Sequence, residues 1–301
     1  MDLSGKNAVV LGVADRTSIA WGIAARLLEH GAQVHIGYQQ RFFSRVRLLL
    51  QENSTITGAR CDITDDNELQ SFFESRPEVP IDILIHGIAF GPPEVFTNPA
   101  SAVSSDSFTQ TLSISTHSLL KVSGYAKPYL RSDASIITLT YQASEQASPF
   151  YGMMGVAKSA LESAVRYLAI EMGEKGIRVN AISPGPIETP AAIGEMLAFL
   201  RSPDAFNTRA GKLLQSAMNQ IQSNPEFSRA DDYRKAKFLW HAVQSRVAQE
   251  CAIQDFVTQD DVADCALFLS SNYARKITGQ VIHVDCGMST SRLMPFVNAS
   301  E

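Results

Sequence analysis

Short uninterrupted apolar runs alternate along this chain with longer stretches whose apolar positions return at helical spacing, the pattern of buried strands separated by amphipathic helices. NAVVL at 7–11 predicts the first strand. GVADRTSIAWGIAARLLEHG then passes through a glycine-bearing turn into a helix that stops at Gly31, and AQVHIGY resumes as a second strand. Strand, turn, helix and strand in this order open a βαβ unit. RFFSRVRLLLQEN predicts a helix, ITGARCD a short third strand, NELQSFFESR a helix and PIDILIHGIA a fourth strand. SFTQTLSISTHSLLKVSGYAKPYL reads as one long helix, although its serines and threonines are weak helix formers. SIITLTY follows as a fifth strand, YGMMGVAKSALESAVRYLAIEMGEKG as a helix beginning near Tyr151 and closed by Gly176, RVNAISPG as strand and turn, and QVIHVDCG as the last strand.

This alternation predicts an α/β fold: one Rossmann-type domain over 1–301, a three-layer sandwich with a mostly parallel sheet covered on both faces. Between Pro190 and Asp260 no strand is expected, yet EMLAFLR, TRAGKLLQSAMNQIQS and DDYRKAKFLWHAVQSRVAQECAIQDF are all helical in period, with a break at Asn224 and Pro225. An extra helical insertion over 195–229 is expected within the domain. Its apolar residues Met196, Leu197, Phe199, Leu200, Leu213, Leu214, Met218 and Ile221 serve either as a lid over an apolar ligand or as plain scaffolding.

Composition narrows the function classes. The 301 residues are 45% hydrophobic and 19% charged, enough for a sizeable core, and the formal charge of -5 speaks against nucleic-acid binding. The four cysteines, Cys61, Cys251, Cys265 and Cys286, form no metal-spaced pairs, so no metal is expected and the thiols read as reduced. The opening MDLSGKNAVVLG has no targeting character and no apolar run is long enough to span a bilayer. The expected location is the cytoplasm, away from membranes.

Four strand ends on one edge of a parallel sheet form the usual ligand crevice. At the first, Gly12 permits a tight turn, and Ser18, Ile19 and Ala20 place backbone N–H groups at a helix start where a pyrophosphate could sit. At the third, Asp62 beside Ile63 can accept a hydrogen bond from an adenine amino group; at the fourth, Gly87, Ile88 and Ala89 let a flat cofactor pass close to backbone. The second ends in Tyr38, Gln39, Gln40 and Arg41: Gln39 can bond ribose hydroxyls, whereas the guanidinium could pair with a 2′-phosphate. These residues leave NADH and NADPH both open, with a lean towards NADH.

Residues 138–158, TLTYQASEQASPFYGMMGVAK, set Tyr141, Tyr151 and Lys158 so that a phenol and an ammonium two helical turns apart look into one space. With GVADRTSIAWGIA, YQQ, CDI, HGIAF, GIRVNAISPGPIETPAA and ITGQVIHVDCG, the chain resembles the short-chain dehydrogenase/reductase superfamily, and within it the bacterial NADH-dependent enoyl-[acyl-carrier-protein] reductases. Most superfamily members place the lysine four residues after the catalytic tyrosine; here position 155 is glycine and Lys158 follows seven after Tyr151. The resemblance implies that Tyr151 bonds the thioester carbonyl, Lys158 holds the nicotinamide ribose, and Tyr141 lines the acyl site. It implies dinucleotide contacts from Gly12, Ser18, Ile19, Gln39, Asp62, Ile63, Ile114, Ile187 and Thr189. It further implies a trans-2-enoyl thioester substrate linked to an acyl carrier protein, and a homotetramer. HGIAF departs from the family pattern: Gly87 stands where serine is usual and Ala89 where glycine is.

Three rival functions follow from the same residues. Thr138, thirteen residues before Tyr151, offers a hydroxyl where carbonyl reductases and alcohol dehydrogenases of the superfamily place their catalytic serine. The enlarged insertion suits a secondary-metabolite enoyl reductase with an unusual acyl chain. A non-catalytic dinucleotide-binding regulator is the third. Lys212, Arg229, Arg234, Lys235 and Lys237 form either a carrier-docking patch or a solvated helix face. His86 and His117 are read as structural rather than acidic catalysts.

Overall fold

Seven strands form one sheet in the order β3-β2-β1-β4-β5-β6-β7, and every neighbouring pair runs parallel. The computed structural model describes residues 1–76, 79–148, 151–201, 203 and 209–290. The strands are β1 Asn7–Leu11, β2 Gln33–Tyr38, β3 Thr57–Arg60, β4 Ile81–His86, β5 Leu130–Leu139, β6 Arg178–Pro184 and β7 Val281–Val284. All residues of β4 and β6 are buried, as parallel strands covered on both faces must be. One face carries α1 (Ile19–Glu29), α2 (Phe43–Glu52) and α12 (Gln259–Ser270); the other carries α3 (Asp66–Glu74), α6 (Ser118–Ala126) and α7 (Met154–Gly173). The expected three-layer sandwich is therefore observed.

Register decides where a ligand can sit. Leu11 pairs with Gly37 and with His86, His86 with Thr138, and Leu139 with Ile182, so the carboxyl ends of the central strands reach one edge together. The chain winds outward from β1 to β3 and then returns to β4 on the other side of β1. That reversal opens a crevice between the β1 and β4 ends.

Three expected boundaries move. Residues 105–126 do not form one helix: α5 (Ser105–Leu112) passes into a π-helical segment at Ser113–His117 before α6, and wide turns of this kind recur at functional sites. The helix expected from Tyr151 begins at Met154, after a turn in which Gly152 has φ +48°. β5 reaches back to Leu130, because Leu130 pairs with Ile81 before an irregularity restores the register at Ser135.

Between β6 and α12 lie α8 (Pro190–Arg201), α9 (Arg209–Ile221), α10 (Pro225–Arg229) and α11 (Asp232–Glu250), while a short α4 (Glu94–Thr97) follows β4. Asn224 caps α10 through Glu226 N at 2.9 Å, with Pro225 in its first turn, so the expected break is a helix start. Ile193, Met196, Phe199, Leu214, Ala236 and Leu239 bury one another in a small core of their own, flanked by Leu197, Leu200, Met218 and Ile221. Most of the apolar residues expected to face a ligand are thus spent on holding these helices together. Residues 202 and 204–208 of the expected insertion lie outside the described residues. No helix among the described residues is long and apolar enough to cross a membrane.

Candidate active site

The turn after β1 is built for close backbone approach. Gly12 has φ +98°, and a Cβ there would stand 2.1 Å from the Gly87 carbonyl oxygen, so only glycine fits. Gly87 N donates to Leu11 O at 2.9 Å, locking the β1 and β4 ends together. A Cβ at Gly87 would lie 3.0 Å from both Ala20 Cβ and Leu11 O; the side chain missing here is replaced by tight contact with α1. Ser18 shapes the turn by accepting from Ala14 N and Asp15 N and donating to Asp15 O. Its hydroxyl makes no capping bond to the first N–H groups of α1, and that first turn holds no acidic residue. An open, positive helix end beside two glycines fits a dinucleotide pyrophosphate.

Gln39 and Asp62 meet where β2 and β3 end: Gln39 Nε2 donates to Asp62 Oδ2 at 3.2 Å. Desolvation pulls the Asp62 carboxyl upward, but hydrogen bonds from Thr64 and Gln39 and the charge of Arg41 outweigh it and hold the group below its ordinary value. The Arg41 guanidinium lies 4.7 Å from the centroid of the Phe42 ring. With Asp62 and an aromatic face already engaging Arg41, this edge suits a ribose with free hydroxyls better than a 2′-phosphate. Ile63 is buried beside Asp62, Ile88 follows β4 half-buried, and Ile114 sits half-buried in the π-helical segment. Ser115 fastens that segment to Phe90 by two hydrogen bonds, from Phe90 N and to Phe90 O.

Tyr141 and Tyr151 come together with ring centroids 4.6 Å apart and planes tilted by 45°. Tyr141 follows the end of β5. Tyr151 enters from the turn before α7, which is pinned by Met153 N donating to Val95 O at 3.1 Å. Lys158 reaches the same strand end from α7, its Nζ donating to Leu139 O at 2.8 Å. Gly155 explains the spacing: a Cβ there would meet the Ala143 carbonyl oxygen at 2.7 Å, so no lysine can stand four residues after Tyr151 in this backbone. Burial drives the Tyr141 phenol up to about 12, aided by the charges of Glu195 and Asp285. Tyr151 is pushed higher still, first by burial and then by Tyr141 and Glu195. Both phenols remain protonated donors at neutral pH. Burial lowers the Lys158 amine to about 8, against an opposing pull from Glu162.

A protonated phenol and a buried amine brought to the end of the same strand are groups able to stabilise a forming oxyanion. The family model for enoyl-(acyl carrier protein) reductase matches residues 12–209 and 231–289. This chain belongs to the enoyl-(acyl carrier protein) reductase family. It is 36% identical to the NADH enoyl-[acyl-carrier-protein] reductase of Nostoc sp., over 95% of this chain and 97% of that one. It is 34% identical to enoyl-[acyl-carrier-protein] reductase [NADH] 1 of Rhizobium meliloti, over 96% and 92%. The crystal structure of the NADH enoyl-[acyl-carrier-protein] reductase from Aquifex aeolicus superposes with TM-score 0.78 at 31% identity, covering 97% of this chain and 99% of that one.

Within this reductase the β6–α8 loop supplies the last expected contacts. Ile187 is buried, and Thr189 starts α8 by accepting from Ala192 N at 3.2 Å. The hydroxyl at Thr138 is taken: it bonds His86 Nδ1 at 2.9 Å and donates to His86 O in the fully buried core, while His86 Nε2 contacts Ser118 Oγ. Burial, reinforced by Lys158, pushes the His86 imidazole down to about 3, so the ring stays neutral and structural. Thr138 therefore cannot serve as a carbonyl reductase's catalytic hydroxyl. Two features escaped the sequence reading. Glu195 on α8 is half-buried, and desolvation raises its carboxyl to about 8; only the packing of α8 shows this. The loop between β6 and α8 is held from α11, with Glu188 bonded to Lys237 Nζ at 2.6 Å and to His241 Nε2 at 2.7 Å, and Gln244 Nε2 donating to Pro186 O at 2.8 Å.

Proposed function

We propose that this protein reduces the carbon–carbon double bond of a trans-2-enoyl thioester, carried on an acyl carrier protein in fatty-acid synthesis, with NADH as the cofactor. The observation that carries the reading is the Tyr141–Tyr151 pair at 4.6 Å, with Lys158 bound to the end of the same strand. Bound NADH supplies a hydride to the β-carbon of the substrate. Electron density then moves to the thioester oxygen, where the Tyr151 hydroxyl donates a hydrogen bond to the forming enolate; protonation at the α-carbon gives the saturated thioester. Lys158 holds the ribose hydroxyls and adds positive potential near the same oxygen. Tyr141 packs beside Tyr151 and limits where the acyl chain can lie. Gly12, Ser18, Ile19 and Thr189 take the pyrophosphate side, Gln39, Asp62 and Ile63 the adenosine side, and Gly87, Ile88, Ile114 and Ile187 the walls.

The helices between β6 and α12 belong to the same domain and form its cover. Residues 210–230, which fall between the two segments matched by the family model, thicken that cover by α9 and α10. Lys212, Arg229 and Arg234 are exposed on it and are the cations available to an acidic carrier, whereas Lys237 is committed to Glu188. Four free thiols fit a cytoplasmic location. Assembly into a homotetramer is supported by exposed apolar residues on α7.

The test is NADH and NADPH oxidation against matched trans-2-enoyl and 3-keto thioesters, with product identification. Saturated thioester formed with NADH is the expected result; an alcohol product refutes it. Tyr151→Phe, which keeps the ring and removes the donor, is expected to lower kcat/KM by about 100-fold or more, with the Tm close to that of the parent chain.

A further inference from the structure

The turn between β3 and α3 is held mostly by its own residues. Asp62 Oδ1 accepts from Thr64 N at 2.9 Å and from Thr64 Oγ1 at 2.7 Å, Asp62 N donates to Glu68 Oε1 at 2.8 Å, and Asp65 N donates to Asp62 O at 3.1 Å. Among the described residues, one backbone atom of 62–65 is held from a distant element: Ile63 O accepts from Lys121 Nζ on α6 at 2.7 Å. The same ammonium pairs with Asp66 Oδ1, in the first turn of α3, at 2.6 Å. A cavity of about 390 Å³ opens between this turn and α6, lined by Ile63, Thr64, Asp66, His117, Lys121 and Tyr125 among others, so polar contacts rather than close packing join the two here. The Lys121 side chain is 17% exposed and that of Asp66 69%; the ion pair is open to water and contributes little, which leaves the bond to the carbonyl as the directional contact. Its anchor is firm, because the segment leading into α6 is tied to the β4 end through Ser115 and Phe90 and to α7 through Thr116 Oγ1 and Ala157 O.

We propose that Lys121 is a positioning residue for the adenine end of the cofactor: by holding Ile63 O it sets the turn in which Asp62 meets the adenine amino group. This rests on the cofactor placement proposed above. A carboxylate that must meet one amino group tolerates little displacement, and the groups behind it decide how well it is held. Lys121 acts through the backbone of Ile63 and not by contact with the base. Its loss therefore blurs recognition of the base, while the nicotinamide end, built on the ends of β5 and β6 and on α7, keeps its own supports.

The experiment measures Kd by fluorescence titration of the full chain with three reduced nicotinamides. These are NADH, its hypoxanthine analogue, in which a carbonyl replaces the adenine amino group, and nicotinamide mononucleotide, which lacks the adenosine half. The parent protein is expected to prefer NADH to the hypoxanthine analogue by about tenfold or more. Lys121→Met, which keeps the length of the stem and removes the donor, is expected to weaken NADH by about tenfold, to shrink the preference over the hypoxanthine analogue, and to leave the mononucleotide unchanged. Lys121→Arg, which still offers a cationic donor, is expected to retain most of the parent's preference. Melting curves establish that each variant is folded. If Lys121→Met weakens all three ligands by one common factor, or leaves the base preference intact, the positioning role is overturned while the cofactor reading stands. If the parent protein does not distinguish NADH from the hypoxanthine analogue, the placement of adenine at Asp62 falls, and the role of Lys121 with it.

Discussion

At 3% exposure, Lys158 retains its charge by two arrangements: its Nζ donates to the Leu139 carbonyl at 2.8 Å, and Glu162, one helical turn on, adds negative potential. Glu162 is itself buried and accepts from Thr140 Oγ1 at 2.6 Å, so it is fixed rather than free to swing. Burial still lowers the amine to about 8. The sign of the consequence follows directly. Below that value the ammonium is present and can donate to the ribose hydroxyls; above it the charge is lost from the free protein and must be restored on binding. The Kd for NADH is therefore expected to be flat between about pH 6.5 and 7.5 and to rise by up to tenfold per unit above about 8, measured by fluorescence titration. Glu162→Gln keeps an acceptor for Thr140 but removes the negative potential, so the rise should begin at lower pH. A Kd profile that does not move in this variant would show that Glu162 only packs.

At the scale of elements, the loop joining β6 to α8 is held by three residues spaced along one face of α11, Lys237, His241 and Gln244, acting on Glu188 and Pro186. The loop carries Ile187 and Thr189, so α11 sets their position without touching a ligand. Both side chains paired with Glu188 are partly exposed, which limits the pairs to about 1 kcal/mol of stability. Glu188→Ala is accordingly expected to shift Tm by a few degrees at most while weakening NADH by about three- to tenfold, the signature of a displaced loop in a sound fold; titration against melting data separates the two. That clasp was illegible in the sequence because its partners lie about fifty residues apart and their charges look solvated. The sheet, by contrast, could be read almost completely: runs such as NAVVL and IDILIH are buried on both faces, and such burial leaves no freedom in residue type. The π-helical segment was hidden by SISTH, whose hydroxyls fit a helix in pattern but in the fold bond Phe90 and Ala157 instead. Gly155 shows the reverse case. Its identity and the unusual lysine spacing were legible along the chain, but only the 2.7 Å approach of the Ala143 carbonyl shows why a side chain is excluded.

For the whole molecule, α7 joins site and surface. Its inward face buries Lys158, Leu161, Val165 and Leu168, while Tyr167 and Ile170 stand 73% and 77% exposed one turn apart, with Val156 on the same side and Leu120 exposed on neighbouring α6. Scattered apolar residues are ordinary on a surface, but two large ones so open on one helix mark the face on which the proposed assembly would pack a second copy. In a twofold arrangement each residue of the face is used twice, so a charge placed there meets its own symmetry mate. Tyr167→Glu with Ile170→Glu is expected to reduce the oligomer to a smaller species at micromolar concentration, measured by light scattering after size exclusion, with helix content preserved because neither side chain is part of the core. Since the opposite face of α7 positions Lys158, the smaller species should also bind NADH less tightly, by loosening of the helix rather than loss of any contact. An unchanged mass for the double variant would assign the tetramer, where it forms, to another surface and leave α7 an exposed helix with two apolar residues.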